Sequence, residues 1–168
     1  MSYEHSLTGT VVFKDGVTAE KVLEALKPLS EYFGWEDDFI LKAKRERWSS
    51  NEVNLAFDEN QPGTVAVLEI YTCGNVNDNF SGNVKAFAKN LEDISEPDKF
   101  EVKNFDTPDL ENAIEYFWFG RPDEVKREQE YEVWRGCVFN FKALNLSDDA
   151  IQKMAVIAGF QNFPNRGT

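Results

Sequence analysis

The sequence predicts an α+β fold: a single antiparallel or mixed sheet of about seven strands with three helices packed mainly on one face. Three observations lead to this prediction. Short segments rich in Val, Thr, Phe and Tyr alternate in polarity, as strands do. Three other segments carry apolar residues at helical spacing. Strand-to-helix junctions recur near residues 15, 77 and 144, which favours a βαββ repeat of about sixty residues.

The first half of the chain is predicted to contain a strand, a helix and three further strands. The first strand is 6–13, and Thr18 is a good N-cap for a helix that Gly34 ends. Pro28 inside this helix should kink it or end it early. Three alternating segments follow and are predicted to be strands: 38–47, 52–57 and 64–73.

The second half adds two helices and three strands. Ser81 or Asn83 is expected to cap one helix, and Ser147, followed by two aspartates, opens the last one. The predicted strands are 100–105, 112–119 and 130–141. A helix that runs on to Tyr116 is an alternative for the second of these strands.

The length of 168 residues fits one domain, predicted to span 1–161, with a flexible C-terminal tail at 162–168. The first ten residues contain neither the basic region nor the apolar region of a signal peptide, so none is expected, and no apolar run is long enough to cross a bilayer. We therefore expect a cytoplasmic protein in which Cys73 and Cys137 are free thiols. A disulfide between them in a secreted protein is the alternative.

The charge balance indicates the kind of partner. Thirty acidic residues against 18 basic ones give a formal net charge of −12. Direct nucleic-acid binding and adhesion to anionic membranes depend on lysine and arginine, so neither is expected. An acidic surface suits a basic protein partner, either a nucleic-acid-binding protein or a toxin. Solubility alone is the other explanation of the charge.

The motifs of the common enzyme classes are absent from the sequence. It contains no GxGxxG, GxxxxGK[ST] or GxSxG pattern, and His5 is the only histidine. His5 is expected at the surface. Segment 75–79 alternates oxygen ligands but lacks the glycine and distal glutamate of a calcium loop. We predict no catalytic residues, no metal and no cofactor, and a binding protein rather than an enzyme.

Four consecutive aromatic residues at 116–119 predict a contact surface for the partner. Tyr116 and Trp118 share one strand face, and Trp134, in the next predicted strand, is expected across a hairpin from them. Burial of both faces in a central strand is the alternative. Four acidic residues complete the predicted partner-binding set: Asp123, Glu124, Glu128 and Glu130.

The basic cluster at 42–48 predicts a different site. An anionic ligand, either a phosphate or a carboxylate, would suit its cations and adjoining indole. The predicted ligand-binding residues are Lys42, Lys44, Arg45, Arg47 and Trp48. Cross-strand pairing with glutamates is the ordinary explanation of such a cluster.

These features favour a non-enzymatic, acidic interaction module that binds a basic partner, as an inhibitor or an immunity or anti-defence protein does. A small-molecule binding domain or enzyme with its pocket near Arg45, Arg47 and Trp48 is the first alternative. A structural homo-oligomer that uses an exposed sheet face is the second.

Overall fold

A computed structural model describes residues 3–41, 51–106 and 113–160 of the chain. The strands in these residues are β1 (Tyr3–Val12), β2 (Glu52–Phe57), β3 (Val65–Val76), β4 (Asp98–Asn104) and β5 (Ile114–Phe119). The helices are α1 (Ala19–Phe33), α2 (Asp37–Leu41), α3 (Phe80–Asn90), α4 (Pro122–Ala143) and α5 (Asp148–Ala158). The α+β class is confirmed, but the described residues contain five strands and five helices, where about seven and three were predicted.

The strands form one antiparallel sheet in the order β2-β3-β1-β4-β5. β1 and β2 run parallel with β3 between them, and β3 and β4 run parallel with β1 between them. The sheet is thus built from two interleaved split β-α-β units, β1-α1-β2 and β3-α3-β4. The predicted strand-to-helix junctions near residues 15 and 77 are confirmed. The junction near 144 joins α4 to α5, so the predicted repeat does not extend there.

Two predicted strands are helical instead. The described part of segment 38–47 belongs to α2, where the Ile40 N–H donates to the Glu36 carbonyl at 3.3 Å. Segment 130–141 lies inside α4. Its aromatic and β-branched residues suggested a strand, but they recur at intervals of three and four, as on a helix. The helix-forming Glu, Lys, Arg and Gln residues that precede them extend from Pro122 at the first helical position.

Local capping signals set most of the helix ends. The Thr18 hydroxyl accepts a hydrogen bond from the Lys21 N–H at 3.3 Å, and Gly34, in the left-handed conformation, ends α1. The helix continues past Pro28, so the predicted early end is wrong. Ser147 caps α5 as predicted. The N-cap of α3 is Asn79, not Ser81 or Asn83.

The hydrophobic core lies between α1, α3 and one face of the sheet. At its centre the Phe100 ring lies 5.0 Å from Phe87 and 4.6 Å from Phe119, measured between ring centroids. Phe100 also covers Gly9 of β1, where an added Cβ would stand 2.3 Å from the Phe100 ring. A glycine is therefore required where this ring crosses β1.

The chain divides into two compact units at Val125. The sheet unit, up to Val125, contains all five strands and α1 to α3. The helical unit, from Lys126 onward, contains most of α4 and all of α5, and its Trp134 ring stacks on Phe160 at 5.1 Å. Within the described ranges no helix has the length and apolarity needed to cross a membrane. The predicted tail at 162–168 lies outside the described residues.

Candidate functional site

The sheet has a second face, here called the open face because most of its side chains are exposed. Strand alternation determines which residues belong to the open face. On β3, Leu68 and Ile70 enter the core, while Glu69 and Tyr71 point to the open face. The same alternation places Thr8, between the core residues of β1, on the open face. Helices α1 and α3 contribute their buried residues only to the core side.

A shallow hollow of about 210 Å³ lies on the open face where β1, β2 and β3 meet. Tyr71 stands opposite Glu52 of β2, and Glu69 is the next open-face residue along β3. Thr8 and Thr10 of β1 form the opposite wall, across from Tyr71 and Glu69 respectively. Two carboxylates, two hydroxyls and one phenol ring therefore converge here. Such a combination suits an ammonium or guanidinium group.

Tyr71 shares this face with Cys73, two residues further along β3. The side-chain hydrogen bond with Cys73 raises the pKa of the Tyr71 phenol above its ordinary value. Electrostatic interaction with Cys73, partial burial and Glu52 act in the same direction, and Lys103 opposes them. Tyr71 is consequently a neutral phenol at physiological pH. Both Cys73 and Cys137 are free thiols, so the disulfide alternative is wrong.

The predicted aromatic pair lies on the same face at the other side of the sheet. Trp118 stands opposite Lys99 of β4, and Tyr116 stands opposite Glu101. The Lys99 ammonium lies 4.8 Å from the ring centroids of both Tyr116 and Trp118, a cation–π arrangement. Among the described strands β5 lies at the edge of the sheet, and Tyr116 is 49% exposed, so the alternative of a central strand buried on both faces is wrong.

The remaining predicted partner-binding residues are on α4. Trp134 lies on this helix, so the expected hairpin with Tyr116 and Trp118 does not exist. Asp123 and Glu124 occupy its first turn, where Glu124 forms an ion pair with Lys14 at 3.2 Å. The other two acidic residues of the set, Glu128 and Glu130, belong to the helical unit.

The predicted anion-binding cluster lies outside the described residues. Its members are Lys42, Lys44, Arg45, Arg47 and Trp48. The site therefore stays a prediction.

The residues of the hollow were missed from the sequence. The signal was present, because Glu69 and Tyr71 alternate with the predicted inward residues of their strand. Alternation assigns a residue to a face but does not say which strand is its neighbour. Only the strand order brings Glu52 and Thr8 to opposite sides of Tyr71.

A second hollow, of about 230 Å³, lies beside the start of α3. His5, expected at the surface, lines it and is partly buried, with its ring 5.8 Å from Phe80. In segment 75–79 the Asn77 side-chain oxygen accepts the Asn79 N–H at 3.0 Å, so this oxygen serves a local turn. Among the described residues no group of three or more His, Cys, Asp or Glu is placed to hold a metal ion.

No protein-family model, no curated protein and no solved structure matches this chain. Its function therefore has to be inferred from its own residues and their arrangement.

Proposed function

We propose that this chain is a non-enzymatic interaction module that binds a basic protein partner through the open face of its sheet. The observation that supports this most is the hollow, in which Glu52 lies opposite Tyr71 on the neighbouring strand and Glu69 lies two residues from Tyr71 on the same strand. The net charge of −12 adds a long-range attraction for cationic surfaces.

The chemistry of the hollow favours a lysine or arginine side chain of the partner. The neutral Tyr71 ring offers a face for the cation, and the flanking glutamates offer charge-assisted hydrogen bonds. Arginine fits this combination better than lysine, because its planar guanidinium stacks on a ring and still donates at its edges.

The aromatic pair on β5 supplies a complementary, less charged part of the same face. Glu101 forms an ion pair with Lys103 at 3.1 Å, and Lys99 covers Tyr116 and Trp118. Cations therefore lie beside this pair, whereas two carboxylates line the hollow. We propose that the aromatic pair provides apolar contact while the hollow selects for positive charge.

Binding of a fluorescent oligo-arginine peptide at low salt tests the hollow directly. We expect Glu69→Gln and Tyr71→Ala each to weaken binding by about 1 kcal/mol or more, and added salt to weaken it further. Glu24→Gln is the matched control, because it removes the same charge from the exposed side of α1. An equal loss in Glu24→Gln and Glu69→Gln would show that only net charge attracts the peptide and would contradict the proposed site.

An inhibitory or immunity-type role requires that binding blocks the partner. Basic proteins retained from a native lysate by the immobilised chain, and released by salt, are the material for this test. We expect the Glu69→Gln, Tyr71→Ala double variant to retain less of them than Glu24→Gln does. Inhibition is then measured as loss of the captured protein's own activity when the wild-type chain is added.

A further inference from the structure

The outer edge of β5 has the properties of a strand-pairing surface. β5 is the last strand of the sheet, and its outer edge pairs with no strand among the described residues. Its sequence, IEYFWF, contains one charged residue and neither proline nor glycine. Its six pairs with β4 run without a register shift. Such an edge is regular and apolar enough to accept another strand.

The backbone groups available at this edge follow from one hydrogen bond. The Asn104 N–H donates to the Ala113 carbonyl at 2.7 Å, in the same register as the β4–β5 ladder. In an antiparallel ladder the groups of alternate residues point to the same neighbour. The backbone N–H and carbonyl groups of Glu115 and Phe117 therefore bond to β4. Three residues present these groups outward: Ile114, Tyr116 and Trp118.

The opposite edge of the sheet is different. β2 pairs with β3 through an irregular register at Ala56 and Phe57. Its open-face residues include the polar Glu52 and Asn54. Bulges and polar or charged side chains discourage strand addition, and β5 has neither a bulge nor a run of charges.

We propose that β5 pairs with β5 of a second copy of this chain, antiparallel across a two-fold axis, to form a continuous ten-stranded sheet. In such a strand pair, the side chains of two directly opposed residues lie on the same face of the sheet. The register must therefore set each open-face residue of one copy against an open-face residue of the other. A two-fold axis at Phe117 meets this condition. It sets Tyr116 against Trp118 of the second copy and uses the outward backbone groups of both.

The charge pattern of the strand fits itself in this orientation. Glu115 lies near the start of β5, and Arg121 follows its end. Antiparallel pairing about Phe117 sets Glu115 opposite Phe119 of the second copy, at the end of the strand that Arg121 follows. A two-fold axis at Glu115 would oppose like charges and is excluded for that reason. The pattern is therefore self-complementary, which favours a second copy as the occupant.

Sedimentation across a concentration series tests the proposal on the full chain. We expect a monomer–dimer equilibrium that strengthens with added salt, because two copies of charge −12 repel each other. Binding of a basic partner should weaken with added salt, so failure of the dimer proposal can be distinguished from failure of the partner-binding proposal. A single monomeric species at every concentration and salt level would overturn the inference.

Two variants at one position isolate the backbone contribution. Tyr116→Pro removes an outward N–H and leaves the ladder with β4 intact, whereas Tyr116→Ala removes the side chain alone. We expect Tyr116→Pro to raise the dimer dissociation constant about tenfold or more above that of Tyr116→Ala, since two hydrogen bonds are lost per dimer. Equal constants in the two variants would contradict pairing through this edge.

Amide hydrogen exchange on the wild-type chain gives a readout that does not depend on folding of a variant. The outward amides of Ile114, Tyr116 and Trp118 should exchange fast in dilute samples and slow as dimer forms. The inward amides of Glu115 and Phe117 should be protected at both concentrations. A dimer in which the outward amides stay unprotected would place the contact elsewhere and overturn the inference.

Discussion

The two units of the chain bury apolar side chains to very different extents. The hydrophobic core cluster belongs entirely to the sheet unit. In the described part of the helical unit the buried hydrophobic residues are Tyr131, Ile151 and Ala155. The large hydrophobic residues exposed in the sheet unit are at most 53% exposed, whereas those in the helical unit range from 54% to 86%.

The difference shows two ways of stabilising secondary structure. In the sheet unit, residues far apart in sequence share one core, so burial supplies most of the stability. In the helical unit, local features carry more of it, namely the Ser147 cap and the Asp149–Lys153 ion pair, beside one long-range contact between the stacked Trp134 and Phe160 rings. Substitutions matched between the two units should therefore have different effects.

The largest contrast is expected for phenylalanine truncation. Phe100→Ala removes a fully buried ring and should lower the free energy of unfolding by about 3 to 5 kcal/mol. Phe139→Ala removes a ring that is 74% exposed and should change it by no more than about 0.5 kcal/mol. Denaturant titration measures both. Comparable losses would show that the helical unit uses Phe139 in a packed contact.

A single transition in the wild-type titration would also support one domain over 1–161.

The same glycine substitution should change stability in opposite directions in the two units. Gly9→Ala forces a Cβ into the Phe100 ring and should destabilise by about 1 to 3 kcal/mol. In Gly136→Ala the added Cβ meets nothing within 4 Å inside α4, so the variant should gain about 0.5 to 1 kcal/mol of helix stability. Thermal unfolding followed by circular dichroism distinguishes the two signs. A destabilised Gly136→Ala would contradict an open helix surface at this position.

Removing a helix cap should cost the same free energy in both units, but a different measurement should detect the loss in each unit. Thr18→Ala and Ser147→Ala each remove a hydroxyl that accepts a backbone N–H, and each should cost about 1 kcal/mol. For Thr18→Ala we expect the loss in global unfolding. For Ser147→Ala we expect faster amide exchange confined to α5. A global loss of equal size in Ser147→Ala would show that the two units unfold together.

The smallest effects are expected for ion pairs. A double-mutant cycle on Lys14 and Glu124, whose side chains are about a third exposed, should give a coupling of about 0.2 to 1 kcal/mol. The Asp149–Lys153 pair is exposed and helical, and should give about 0.3 to 0.5 kcal/mol. Repeating both cycles at 1 M salt should reduce the couplings. A coupling unchanged by salt would indicate a hydrogen bond rather than charge as its main source.

Local signals were predictable from the sequence and long-range ones were not. The β2 bounds, the Thr18 and Ser147 caps and the shared face of Tyr116 and Trp118 depend on neighbouring residues. In segment 130–141 the composition predicts a strand, but the helical spacing of its apolar residues agrees with the observed α4. The hollow and the cation above the aromatic pair depend on which strands are neighbours, and alternation carries no information about that.

The position of β1 has a consequence for how the chain is made. β1 is synthesised before both of its partners, yet it lies at the centre of the sheet and pairs with β3 and β4. Its second partner is complete only when Asn104 has left the ribosome, so β1 lacks one or both neighbours for most of the translation of the sheet unit. A delay placed after residue 104 would give the sheet time to close, whereas a delay before β3 would prolong the exposure of β1.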